Sequence, residues 1–206
     1  GVGVRLGVPV VRSGAGVRAW PFWHFRVPFL TFSELRRAHT FGVIFAFGGS
    51  AVMGTCYYSV QRTTHARLAW SRLAVFTFWG WQLICVMAMI SMPLGLTQSK
   101  EYAEPEWWID IFIAVVWVCF GAVFFATLAR RRIQHIYVSN WYYGAFIIAV
   151  GLLHIVNTLA IPVSMFKSSP LYSRTVGAMV PWWYGPTAVA FFLTAGVLGR
   201  LYAFVA

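Results

Sequence analysis

The chain has 206 residues, of which 60% are hydrophobic and 18% aromatic, while only 10% are charged. A soluble domain carries about a quarter charged residues, so this composition excludes an ordinary water-soluble fold and makes a bilayer the solvent. Lys and Arg total 16 against 5 acidic residues, a formal charge of +11, but they are spread between apolar runs, which assigns them to membrane flanks and argues against nucleic acid as a partner.

Residues 1–20, GVGVRLGVPVVRSGAGVRAW, are small residues broken by Arg5, Arg12 and Arg18. They are too interrupted to span a bilayer, lack the apolar core of a signal peptide, and have no framing strand and helix to make their glycines a nucleotide loop. They are expected to be a disordered or spurious leader, with a transmembrane domain over residues 21–206.

A membrane-crossing helix needs about 20 predominantly apolar residues, because each adds about 1.5 Å toward roughly 30 Å of hydrocarbon. Five runs free of Lys, Arg, Asp and Glu meet this: Thr40–Val60, Leu73–Gln98, Ile111–Ala129, Ile136–Phe166 and Thr175–Gly199. The expected fold is all-α, a polytopic transmembrane bundle of about five spanning helices.

Loop charges orient the bundle, since short loops rich in Lys and Arg stay on the cytoplasmic side. Arg62, Arg67 and Arg72 follow the first span and Arg130, Arg131 and Arg132 follow the third, so both loops go inside. The loop SKEYAEPEWWID, with Glu101, Glu104, Glu106 and Asp110, goes outside, together with the loop carrying Lys167 and Arg174. Arg36 and Arg37 then sit before the first span on the side where basic residues are disfavoured. Either an anion holds them there or they are ordinary scatter.

Titratable groups at membrane depth are costly and need partners. His39 opens the first span and heads a stripe of Gly42, Ala46, Ser50 and Gly54. The stripe reads in two ways: close packing of small residues between helices, or a flat ligand such as a porphyrin whose iron the imidazole binds. His154, three residues before Asn157, suits a hydrogen bond between helices, and Asp110 suits capping of its own helix at the aqueous boundary. His65 and His135 are expected in solvent. Cys56, Cys85 and Cys119 lie in uncharged stretches without metal-finger spacing and read as packing residues. Trp20, Trp23, Trp107, Trp108, Trp141, Trp182 and Trp183 cluster near span ends as an interfacial belt. No nucleophile triad, thiolate pair or paired carboxylates occur at workable depth, which argues against hydrolases and metalloproteases.

Taken together, HTFGVIFAFGG (His39–Gly49), SKEYAEPEW (Ser99–Trp107), HIYVSNW (His135–Trp141), LHIVNTL (Leu153–Leu159) and WWYG followed by FFLTAG (Trp182–Gly196) resemble subunit I of the cbb3-type cytochrome c oxidases, a branch of the haem-copper oxidases. The resemblance runs from about Trp20 to Val205. It implies a twelve-helix catalytic subunit, of which this chain resembles the second to sixth helices, in a bacterial inner membrane. Such a subunit binds haem b, haem b3 and the copper CuB, reduces oxygen with electrons from cytochrome c, and pumps protons. It works with other oxidase subunits, including membrane-anchored c-type cytochromes. The resemblance makes His39 an axial ligand of haem b and places Arg36 at a haem propionate, a role that suits a guanidinium. It associates Glu101 with a calcium ion beside the propionates.

The chain also departs from the family. There WWYG is followed by a histidine that ligates CuB; here Pro186 stands in its place, without a metal-binding atom. The ligand of haem b3, the second ligand of haem b and the remaining copper ligands belong to later family helices. Two other readings stay open: a degenerate, non-catalytic haem-binding or scaffold subunit, which Pro186 favours, and a nitric oxide reductase relative, which KEYAE and HIYV disfavour.

Overall fold

The computed structural model describes residues 32–98, 100 and 102–205. The leader assigned to residues 1–20, the belt residues Trp20 and Trp23, and Glu101 lie outside them.

The first span is one continuous helical rod. It comprises α1 (Phe32–Phe41), a wide-turned π-helical stretch (Gly42–Gly49) and α2 (Ser50–Thr64), and it ends where His65 turns left-handed at φ 51°. Next come α3 (Ser71–Ser91), α4 (Trp107–Ala129) and α5 (Val138–Thr158), then an antiparallel hairpin of β1 (Ala160–Ser164) and β2 (Lys167–Pro170). The last rod is α6 (Arg174–Ala188), a second π-helical stretch (Val189–Ala195) and α7 (Gly196–Val205). Among the described residues, five helical stretches are long and apolar enough to cross a membrane, in agreement with the five runs.

Two of those runs end early. In the second, α3 stops at Ser91, ahead of Pro93 and a glycine, Gly95, at φ 77°. In the fourth, α5 stops at Thr158, and Ala160–Phe166 enter the hairpin instead. Pro162 lacks the N–H and the freedom in φ that another helical turn requires. Local bonds close the helix end: the Thr158 hydroxyl donates to the His154 carbonyl, and the Lys100 ammonium caps the Asn157 carbonyl. Such contacts satisfy carbonyls that lack an intrahelical partner.

The third span, α4, is apolar on all sides but buries only one. On α4, Val116, Phe120, Val123 and Phe124 are buried, whereas Ile111, Val115 and Val118 are exposed. The core is built from aromatics: Trp117 packs against Phe120, Phe146 and Phe192 with ring centroids 5.3–6.5 Å apart. Its indole N–H donates to the Ile147 carbonyl at 2.8 Å.

The two loops assigned to the inside meet at one end. Arg132 N–H donates to Thr64 O at 3.0 Å, and Ala69 N–H to Thr127 Oγ1 at 2.9 Å. At the other end the acidic loop is laced to the hairpin: Trp107 Nε1 donates to Ser164 O at 3.0 Å, and Ser168 Oγ to Glu106 Oε2 at 2.9 Å.

The anticipated small-residue stripe meets the second span in part, since a Cβ on Gly42 would sit 3.3 Å from Met89 Sδ. Ser50 meets the second span, where Gln82 Nε2 donates to its hydroxyl at 3.1 Å, while a Cβ on Gly54 would meet nothing within 4 Å. A tighter approach falls on Gly49. A Cβ there would come within 2.8 Å of Trp81 Cζ2 and 3.2 Å of Phe192 Cζ. Trp81 has little room to yield, because it is buried and its Nε1 donates to the Phe45 carbonyl at 3.3 Å. Gly49→Ala is therefore expected to destabilise the bundle by about 1–3 kcal/mol, read as a lower thermal midpoint of the detergent-solubilised protein. An unchanged midpoint would show that Trp81 can shift freely.

Candidate functional site

At the end of the bundle that carries the acidic loop, α1, α6 and that loop enclose a cleft of about 350 Å³. Arg36, Arg37 and Thr40 supply its polar wall from α1, Tyr102 and Glu104 from the loop, and Tyr184 from α6. Phe41, Phe45 and Phe192 make the rest largely apolar. Tyr102, Glu104, Tyr184 and these three phenylalanines also line a smaller chamber of about 60 Å³, which adds Asp110 and His154. The two spaces adjoin.

The arginines differ in their ties. Arg37 Nη1 donates to Thr97 Oγ1 at 3.3 Å, pinning the start of the first span to the segment after α3. Arg36 is exposed; its carbonyl accepts the Thr40 hydroxyl at 2.9 Å, while its guanidinium bonds to no other described residue. A guanidinium at the rim of an apolar cleft suits a planar, doubly bonded anion.

His39 is half-buried, lines neither space, and its imidazole bonds to no other described residue. The structure therefore does not gather His39 and Arg36 into one cleft. One turn on, a Cβ at Gly42 would sit 3.3 Å from Met89 Sδ, so the helices approach closely there. Val43 (49%) and Phe47 (78%) are exposed farther along the rod. An imidazole that bonds to no other described residue, beside an open apolar helix surface, has the chemistry to hold a haem iron. Copper does not fit what is described. Pro186 is an exposed interior residue of α6 with no donor atom, and the described residues hold no group of three or more His, Cys, Asp or Glu suited to a metal.

Asp110 is not at the aqueous boundary. The residue preceding α4 is Glu106, and Asp110 lies one turn inside, 5% exposed, because the acidic loop and the end of α5 fold over it. Its Oδ2 accepts from Gln98 Nε2 at 2.9 Å, and its Oδ1 has no partner. The Asp110 carbonyl lies 3.1 Å from His154 Nε2. A carbonyl can only accept, so that nitrogen carries the hydrogen. The anticipated interhelical bond of His154 is therefore present, and Asn157 ties the same helix to the acidic loop, its Nδ2 donating to Tyr102 O at 2.8 Å. Nearby, burial pushes the pKa of Lys100 below its ordinary value, an effect that Asp110 partly offsets.

Sequence reading missed Glu104, Tyr184 and the joint placement of Asp110 with His154. Glu104 belongs to the same SKEYAEPEW motif as Glu101, three residues on, and Tyr184 to WWYG, so both motifs held the signal. The Asp110–His154 pairing joins positions 44 residues apart and had no local signature.

Residues 3–206 match the family model described as cytochrome c and quinol oxidase polypeptide I. The chain is 57% identical over 204 residues to the cbb3-type cytochrome c oxidase subunit CcoN1 of Stutzerimonas stutzeri, covering 99% of this chain and 42% of that relative. It is 53% identical over 179 residues to cytochrome c oxidase subunit 1 of Rhodobacter capsulatus (85% and 34%). It is 48% identical over 180 residues to a cytochrome c oxidase subunit 1 homolog of Agrobacterium tumefaciens (86% and 33%). The chain thus spans between a third and about two fifths of the length of these relatives.

Proposed function

Because this chain belongs to the cytochrome c and quinol oxidase polypeptide I family, we propose that it is a segment of subunit I of a cbb3-type cytochrome c oxidase, a multi-pass subunit of a bacterial inner membrane. The complete subunit would take electrons from cytochrome c through haem b to a haem b3–CuB centre, reduce oxygen to water and translocate protons. Other oxidase subunits, including membrane-anchored c-type cytochromes, would be its partners. The observation that carries this reading is the 57% identity over 99% of the chain to a cbb3-type subunit.

Within it, His39 would hold the haem b iron and Arg36 would pair with a propionate. Glu101 is assigned to a calcium ion beside the propionates. The haem, when bound, supplies a one-electron relay. The chain's own residues position and insulate it. The Arg37–Thr97 bond fixes the start of the first span, and the imidazole, with no competing hydrogen bond among the described residues, would keep a ring nitrogen for the iron. Phe41, Phe45 and Phe192 keep the inner wall of the neighbouring cleft dry. This segment's own residues are given no part in holding copper, because Pro186 offers no donor atom.

The test is a reduced-minus-oxidised spectrum and a subunit inventory of the complex purified with this chain in place. Low-spin b haem and co-purifying membrane-anchored c-type cytochromes are expected. A complex lacking both would overturn the reading.

A further inference from the structure

We propose that an anionic phospholipid of the inner leaflet binds where α3 begins and α4 ends, its phosphate held by the guanidinium groups of Arg72 and Arg130 beside the Trp70 indole and an acyl chain lying along the exposed face of α3. The inference rests on the transmembrane bundle and does not depend on the haem reading.

Charge is fully segregated along the bundle. The end assigned to the inside carries Arg62, Arg67, Arg72, Arg130, Arg131 and Arg132. The five acidic residues of the chain all fall at the other end: Glu34 ahead of the first apolar run, Glu101, Glu104 and Glu106 in the acidic loop, and Asp110 in the first turn of α4. The chain therefore offers these arginines no countercharge of its own, and their anion comes from outside it. The bias of inner loops toward Lys and Arg accounts for the number of cations here. It does not bring two of them, from different loops, to one exposed aromatic ring.

The fold does so. The Arg130 guanidinium lies 5.9 Å from the centroid of the Trp70 ring. Trp70 immediately precedes α3, and Arg72 is the second residue of that helix. The bond from Ala69 N–H to Thr127 Oγ1 at 2.9 Å ties this loop to the last turn of α4. Trp70 takes the left-handed conformation at φ 49°, and its carbonyl accepts from Leu73 and Ala74 N–H at 2.8 and 3.1 Å, yet 52% of the residue stays exposed. An exposed indole at a span end marks the headgroup level. Arg72 and Arg130 are exposed, and neither side chain has a hydrogen bond or ion pair with another described residue. A guanidinium stays charged and meets phosphate through two parallel N–H bonds, and one lying over a ring still has its N–H edge to offer.

From Arg72 toward the bilayer centre, the same face of α3 continues as Val75, Trp79, Leu83 and Val86, each more than half exposed. Their spacing of three or four residues makes one stripe. It covers about 16 Å of helix, close to the depth of one leaflet, half of roughly 30 Å of hydrocarbon. A soluble phosphate would use the arginines without the stripe, and an acidic peptide segment at the surface would do the same. An anionic phospholipid uses both, and basic sites between helices on the cytoplasmic side take such headgroups.

The test is lipid binding to the purified, delipidated complex, counted by native mass spectrometry against phosphatidylglycerol and phosphatidylcholine of the same acyl chains. Each arginine at the leaflet surface strengthens binding about fivefold, so Arg72→Gln with Arg130→Gln should weaken phosphatidylglycerol about 25-fold and leave phosphatidylcholine unchanged. Arg62→Gln with Arg200→Gln removes equal charge from the same end and should keep the preference for phosphatidylglycerol. Equal binding of the two lipids, equal losses in the two double variants, or full competition by millimolar inorganic phosphate overturns the proposal. If the Arg72/Arg130 variant does not assemble, the unmutated complex decides: phosphatidylglycerol with a photoactivatable acyl chain should label the α3 peptide, and labelling confined to other helices overturns the proposal equally.

Discussion

Replacing His39 by alanine in the complete subunit is expected to remove the low-spin haem b band from the reduced spectrum while membrane insertion and assembly with the other subunits persist. The separation follows from what the side chain touches. His39 is half-buried and bonds to no other described residue, so its truncation breaks no hydrogen bond among them. Alanine also favours the helix by a few tenths of a kcal/mol over histidine. The structural penalty is therefore on the order of 1 kcal/mol or less, within what a surface substitution costs, whereas the haem loses a bond to its iron. Arg36→Gln offers a graded comparison: it removes a charge from the propionate side but leaves the iron ligand, so the band should remain with a lowered midpoint potential. A His39→Ala complex with an unaltered reduced spectrum would falsify the ligand assignment, and a complex that fails to assemble would show that His39 packs more tightly than its environment indicates.

The five spans were legible because lipid demands one thing of sequence, a long uncharged run, and Thr40–Val60 and its counterparts meet it. Their ends were less legible. Uncharged Ile161, Val163 and Phe166 extend the fourth run, yet Pro162 and the bonds from Thr158 and Lys100 stop the helix before them. The wide turns at Gly42–Gly49 left no mark in hydropathy, and the stripe through Gly42, Ala46, Ser50 and Gly54 gave no sign that a tighter contact falls on Gly49. Within the site, the helical turn from Arg36 to His39 was readable because it is local. The position of Asp110 was not: its burial depends on Gln98, twelve residues before it, and on His154, 44 residues after.

Pro186→His in the complete subunit is expected to raise the copper content of the purified complex several-fold and cyanide-sensitive oxygen uptake by roughly a hundredfold or more, since a catalytic metal contributes several kcal/mol at the transition state. Local structure accommodates the exchange. Pro186 is exposed and lies in the last turn of α6, just before the π-helical stretch that opens at Val189. A proline in a helix interior withholds one N–H from the carbonyl four residues earlier, here that of Trp182, at a cost of about 3 kcal/mol in water. Histidine returns that donor, so the variant should fold at least as well as the parent, with an equal or higher thermal midpoint. Copper analysis and the reduced spectrum separate the outcomes. Copper that rises while the b haem stays constant places residue 186 among the metal's ligands. Copper that stays low in a stable, haem-replete Pro186→His complex means that the metal site is lost for some reason other than this residue, and the chain then serves the complex through haem b alone.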